Sequence, residues 1–223
     1  MLTLPKARLH DEKTIPMKKH LLLFLASFFL LQATYAQTAG GPDAYGYTWL
    51  HTNAPGGPVY NWIDIIPNGT LLSGFTDDNS VGWIPIGLDF HYYWTDYSHV
   101  RVGSNGWISF NNVGNIAHGF PNIPTPGGNA DNYIAPFMVD LNFASEDNPG
   151  AVYYWSNNVD SFIVTYLQAP FWINAQPDYT GSNTFQVILT NTDSSITYQY
   201  AEQTGVVQNT NLNDINIGIE NVT

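Results

Sequence analysis

Short runs of alternating apolar and polar residues, separated by Gly, Pro, Asn and Asp, make up most of the chain after residue 36. Alternation with a period of two is typical of strands that bury one face, and turn residues between such runs mark the strand ends. No part of this region keeps the 3.6-residue period of an amphipathic helix. About nine strands are predicted. The runs that carry this prediction are 59–65, 84–90, 100–102, 108–110, 134–141, 152–155, 162–166, 185–189, 196–200 and 215–219.

The strongest hairpin signal is the segment Gly103-Ser104-Asn105-Gly106, which joins two alternating runs. Asn-Gly in such a place favours a tight turn in which both central residues have positive φ. Ser104 lies close in sequence to His99 and Asp96, as the members of a catalytic triad could. No Gly-x-Ser-x-Gly elbow surrounds it, so we interpret Ser104 as a turn residue.

Evenly spaced short strands without helices predict an all-β fold, namely an antiparallel β-sandwich or jelly-roll-like single domain with long loops. This domain is predicted to cover residues 59–223, after a Gly/Pro-rich lead-in at 37–58. A long irregular loop is expected at 118–132, where Pro and Gly are frequent. Because the last apolar run reaches the end of the sequence, we expect either the N-terminal part of a larger surface protein or a truncated gene product.

The start of the chain has the pattern of a secretory leader. Lys18 and Lys19 precede an unbroken apolar run at 21–31, and small residues follow up to Ala36. A run this short does not reach the roughly 20 residues that a membrane-spanning helix needs, so residues 17–36 are predicted to be a cleaved signal peptide. Residues 1–16 carry mixed charges and are interpreted as a non-native N-terminal extension, with a genuine extension as the alternative. The remaining chain is expected to be secreted, extracellular or at the cell surface.

Removal of the leader makes the chain strongly acidic. Arg101 is the one Lys or Arg after residue 36, against 16 Asp and Glu residues, so the formal charge becomes −15 instead of the −12 of the whole sequence. Such a surface repels nucleic acid and anionic lipid, and we expect neither nucleic-acid binding nor membrane insertion. The chain has no cysteine, so its stability must come from core burial without disulfides.

Two known extracellular modules are similar to this chain in the motifs at 41–49, 55–65, 77–82, 86–90, 102–110, 133–137, 140–142, 185–189 and 217–221. Most of the chain after the leader resembles the N-terminal module of secreted bacterial surface proteins and peptidases that are exported by the type IX route. The central part resembles the nidogen-like extracellular domain, although Met138 stands where that family has Trp. The resemblance implies a non-catalytic adhesion or accessory domain and carries over no active site, so no enzyme activity is expected.

Oxygen-bearing side chains follow the predicted buried strand at 134–141. Asp140, Asn142, Glu146 and Asp147 lie close together in sequence, and calcium prefers six to eight such hard oxygen ligands. They are therefore predicted to hold calcium. A second group of acidic and amide residues occupies 77–79. The alternative is that Asp and Asn build turns in both segments.

Adjacent aromatic residues on strands must point to both faces, so some of them are expected to be exposed. Trp94, Tyr97, Trp155 and Trp172 are the predicted ligand-binding residues, because exposed aromatic rings form platforms for sugars or for protein partners. Core packing explains much of the same clustering. The leading hypothesis is a secreted adhesion or interaction module with an extracellular protein or glycan as its partner. The alternatives are a carbohydrate-binding accessory domain and the accessory domain of a hydrolase or peptidase whose catalytic domain lies beyond Thr223.

Overall fold

The computed structural model describes residues 37–111, 123, 131–207 and 215–221. The predicted extension at 1–16, the predicted signal peptide at 17–36 and most of the predicted loop at 118–132 lie outside these residues. A boundary between two compact units falls between Pro58 and Val59. Within the described ranges, no helix has the length and apolar character needed to cross a bilayer.

The first unit contains a small two-stranded ribbon. Strand β1 (Ala39–Gly40) pairs antiparallel with β2 (Trp49–Leu50). Between these strands, the Asp43 carboxylate accepts hydrogen bonds from three successive backbone N–H groups, at 2.7–3.0 Å. A short carboxylate side chain that satisfies its own loop in this way is a common means of fixing a turn.

The second unit is all-β, with two antiparallel sheets of five strands each, and it confirms the predicted sandwich. The first sheet has the order β11-β10-β9-β8-β3, and the second has the order β12-β7-β6-β5-β4. The strands are β3 (Thr70–Leu72), β4 (Ser80–Tyr92), β5 (Thr95–Gly103), β6 (Trp107–Ser109), β7 (Tyr133–Met138), β8 (Ala151–Ser156), β9 (Ser161–Trp172), β10 (Tyr179–Thr190), β11 (Ser195–Thr204) and β12 (Asn216–Glu220).

Alternating apolar residues of the two sheets form the core, and tyrosine hydroxyls fasten one sheet to the other. Three tyrosines of the first sheet donate hydrogen bonds to backbone carbonyls of the second. The bonds run from Tyr166 to Gly103 (2.8 Å) and Trp107 (3.0 Å), from Tyr198 to Gly218 (2.8 Å), and from Tyr200 to Pro136 (2.6 Å). Burial raises the pKa of all three hydroxyls, which therefore stay protonated and able to donate at neutral pH.

The predicted strand at 59–65 is wrong. This segment pairs with no strand and instead runs across the face of the first sheet that points away from the second sheet. Two glutamine side chains take the place of a neighbouring strand: Gln199 exchanges two hydrogen bonds with the backbone of Asn61, both at 2.7 Å, and Gln186 exchanges two with Ile63, at 3.1 and 3.2 Å. The backbone groups of Asn61 and Ile63 contact these amides as they would contact a neighbouring strand, and sequence alternation alone does not distinguish this arrangement from strand pairing.

Strand β7 fits the predicted continuous apolar run, and all six of its residues are buried. Pro136 is tolerated inside this strand although it has no N–H group to donate. The pairing of β7 with β6 ends at Ile134, and the register with β12 shifts at this point, so no ladder hydrogen bond is required from position 136.

Candidate functional site

The hairpin between β5 and β6 ends in a turn that lies inside the protein. Gly103 pairs with Trp107, so the loop consists of residues 104–106, which we call the buried turn. Gly106 is the loop residue with positive φ, at 74°. The predicted two-residue turn with positive φ at both Asn105 and Gly106 is therefore wrong, because a three-residue loop requires the left-handed conformation only at its last position.

Ser104 ties the buried turn to the loop that precedes β4. Its hydroxyl accepts a hydrogen bond from the Asn79 N–H group and donates to the Asn79 carbonyl, both at 3.0 Å, while its own N–H group donates to the same carbonyl at 2.8 Å. Ser104 thus lies in the turn, as predicted. His99 lies elsewhere, with its ring stacked on Trp83 at 5.6 Å and its Nδ1 atom 2.9 Å from the Ser98 hydroxyl.

Asn105 joins the segments on both sides of the turn, and its side chain is fully buried. Its Nδ2 atom donates to Asp78 Oδ1 at 2.8 Å, and its Oδ1 atom accepts from the Leu141 N–H group at 2.9 Å. Its backbone carbonyl accepts from Val139 N–H at 3.2 Å. A single buried amide therefore fixes the loop before β4 against the loop after β7.

Three carboxylates meet at this junction. One ligand atom from each of Asp77, Asp78 and Asp140 lies within 4.8 Å of the others, and we call this group the carboxylate cluster. Asp77 and Asp140 are half-buried and Asp78 is exposed. Three like charges this close repel one another, and one divalent cation with a preference for oxygen ligands would relieve that repulsion. Calcium would need further oxygen ligands from backbone carbonyls or water.

The cluster differs from the predicted calcium ligands, of which it contains only Asp140. Asn142 is buried, but its Oδ1 atom accepts from the Ala144 N–H group at 2.7 Å and its Nδ2 atom donates to the Asp178 carbonyl at 2.8 Å, so it fixes its own loop to the loop before β10. Glu146 and Asp147 are exposed and lie outside the cluster. The alternative interpretation, that amide residues here build turns, accounts for Asn142.

The predicted ligand-binding aromatics lie on separate elements. They are Trp94 in the loop between β4 and β5, Tyr97 in β5, Trp155 in β8 and Trp172 at the end of β9. Trp94 is 58% exposed, whereas Tyr97 stacks on Phe110 at 4.6 Å and Trp155 packs against the cluster of Ile65, Ile163 and Ile188. The backbone N–H group of Trp172 donates to the backbone carbonyl of Asp140 at 3.0 Å. Sequence reasoning missed the exposed Trp83, which the β4 alternation places on the face opposite Ile84.

Comparison with known proteins gives a match to one family. A family model described as NIDO related matches residues 57–223. No curated protein and no solved structure matches the chain. The matched range contains the segment that crosses the first sheet, the buried turn and all three residues of the carboxylate cluster.

Proposed function

The chain belongs to the nidogen-related family, and from this premise we propose that it is a non-catalytic extracellular adhesion or interaction module. We include in the proposal that it is the N-terminal part of a larger surface protein, exported by the type IX route. The observation that carries it is the charge of the chain after residue 36, which contains 16 acidic residues and the single base Arg101. A strongly acidic chain favours partners of opposite charge, because electrostatic complementarity governs the choice of partner and the rate of association.

The roles of the buried polar groups support a binding function. Ser104 and Asn105 are both engaged by backbone groups, so they hold loops in place. Rigid loops at the end of a sandwich are a common location for recognition, because the scaffold supplies the ordering that binding would otherwise require.

The proposal is tested by applying the purified chain to an array of extracellular proteins and glycans at physiological salt. Saturable binding to one or more proteins is the expected result. Binding confined to glycans would favour the carbohydrate-binding alternative, which the exposed side chain of Trp94 supports. The absence of saturable binding to every protein and glycan on the array would contradict the proposal.

Calcium binding stays a prediction, and the carboxylate cluster provides the residues through which to test it. A ligand that binds only the folded state raises the free energy of unfolding by about 2.7 kcal/mol when its concentration is 100 times its dissociation constant. For a domain of this size, that corresponds to a rise of roughly 5–10 °C in Tm, which a chelator should reverse. Asp140→Asn should abolish the rise, whereas Asp193→Asn, an exposed control, should leave it unchanged. A rise that persists in Asp140→Asn would assign calcium to other residues.

A further inference from the structure

The loop between β4 and β5 is an exposed tip with an unfavourable backbone. Tyr92 pairs with Thr95, so the loop consists of Tyr93 and Trp94. Tyr93 has φ of 52°, a left-handed conformation that glycine or asparagine adopts far more easily than a bulky aromatic residue. Trp94 follows it and is 58% exposed. A strained backbone that presents a large aromatic side chain to solvent points to a role in recognition.

Two carboxylates accompany Trp94 on this hairpin. Asp96 lies opposite His91, with 2.6 Å between its Oδ1 atom and His91 Nδ1, and its side chain is 68% exposed. Asp89 lies two residues before His91, so the alternation of β4 places it on the same face. We call Tyr93, Trp94, Asp89 and Asp96 the hairpin tip.

The chemistry of the hairpin tip fits a cation. The face of an indole ring attracts Lys and Arg side chains more strongly than other aromatic rings do, and carboxylates form charge-assisted hydrogen bonds with the same groups. Arg101, the one Lys or Arg after residue 36, lies towards the other end of β5, where its Nη1 atom donates to the Ser80 hydroxyl at 3.3 Å. A neutral sugar would use the indole ring and bring no charge to the two carboxylates.

We propose that the hairpin tip binds a Lys- or Arg-bearing segment of a partner protein, with the cation held over Trp94 and between the carboxylates of Asp89 and Asp96. This inference rests on the proposed function and names the class of partner. The acidic surface of the whole chain attracts such a segment, and the hairpin tip gives it a defined point of contact.

The test measures binding of a fluorescent Arg-rich peptide to the full chain by anisotropy, beside a matched peptide with citrulline at each Arg position. The Arg peptide should bind and the citrulline peptide should not. Trp94→Ala should weaken binding about fivefold or more, and Asp89→Asn and Asp96→Asn about threefold each at low salt. Trp94→Phe should retain part of the affinity. Trp49→Ala is the matched control, because Trp49 is 48% exposed in the separate first unit.

Equal binding of both peptides would overturn the inference, since the cation would then not be recognised. Equal affinity of Trp94→Ala and wild type would also overturn it, because the peptide would then respond only to the overall charge. Failure of the inference is distinguishable from failure of the proposed function. A protein partner that the array identifies and that binds Trp94→Ala normally would refute the hairpin tip alone.

Discussion

Two hairpin loops lie at the two ends of β5, and both contain a residue in the left-handed conformation. In the buried turn this residue is Gly106, with φ of 74°, and in the hairpin tip it is Tyr93, with φ of 52°. The side chains of the buried turn are bonded to neighbouring loops, as Asn105 shows with Asp78 and Leu141. In the hairpin tip, Trp94 points largely to solvent.

The difference shows how surroundings decide which residue a turn accepts. A Cβ atom at position 106 would overlap the Phe137 carbonyl oxygen, so the closely packed turn requires glycine for space as well as for conformation. The exposed tip accepts an aromatic residue at the expense of backbone strain. One end of β5 therefore carries a turn that is fixed by packing and hydrogen bonds, and the other end displays Trp94 to solvent.

Gly106→Ala should have the largest effect. The left-handed conformation and the displacement of Phe137 together should lower the free energy of unfolding by roughly 3–5 kcal/mol. Gly74→Ala is the control: Gly74 also has positive φ, at 94°, but a methyl group there would meet no other atom within 4 Å, so roughly 1 kcal/mol is expected. Urea denaturation measures both variants. Equal losses in the two variants would mean that contact with Phe137 adds nothing to the cost of a side chain at position 106.

Asn105→Ala should rank second, with a loss of about 2–4 kcal/mol. The substitution leaves the Leu141 N–H group buried without its acceptor and releases Asp78 from its donor. Asn68→Ala, in an exposed turn, should change stability by less than about 0.5 kcal/mol. A loss of the same small size for Asn105→Ala would show that water replaces the amide and that Asn105 does not hold the two loops together.

The contrast between these two loops was only partly visible in the sequence. Alternation predicted the inward face of β4, and the Asn-Gly pair predicted the position of the hairpin that contains Asn105. Both signals are local, because they depend on residues within one strand or one turn. The conformation of the turn was mispredicted because the type of a hairpin loop depends on the strand register, which alternation does not fix.

Long-range relations account for the remaining errors. The carboxylate cluster unites residues 77–78 with Asp140, which come together in space because the buried turn bonds to the loop before β4 and to the loop after β7. The segment at 59–65 alternates like a strand, but its partners are the side chains of Gln186 and Gln199, more than 120 residues away. The exposure of Trp94 and the packing of Trp155 likewise depend on what covers each strand, which composition does not reveal.

Tyr166 provides a third, pH-dependent test of the buried turn. Its hydroxyl donates to the carbonyls of Gly103 and Trp107, the pair that closes the turn, and burial raises its pKa well above 10. The unfolded chain therefore loses this proton first. The contribution of Tyr166 to stability should be complete below about pH 10 and should fall by about 1.4 kcal/mol per pH unit above it, in addition to what Tyr198 and Tyr200 lose for the same reason.

Urea denaturation at pH 8 and pH 11 measures the Tyr166 effect. Tyr166→Phe should lower stability by about 1 kcal/mol at pH 8, because two carbonyls lose their donor, and should make the alkaline decline shallower without abolishing it, because Tyr198 and Tyr200 remain. The exposed Tyr60, changed to Phe, controls for general alkaline effects. If Tyr166→Phe declined as steeply as wild type, another group would control the alkaline transition.

Trp94→Ala should have the smallest effect on folding, so it is the most direct test of the difference between the hairpin tip and the buried turn. Because the Trp94 side chain is 58% exposed, its removal should change the free energy of unfolding by less than about 0.5 kcal/mol. Trp107 is adjacent to the buried turn and only 1% exposed. Trp107→Ala should therefore lower the free energy of unfolding by roughly 3–5 kcal/mol. A large loss for Trp94→Ala in urea denaturation would make the hairpin tip a structural element. A negligible loss means that any change in partner binding reports on the indole ring itself, since the fold beneath it is intact.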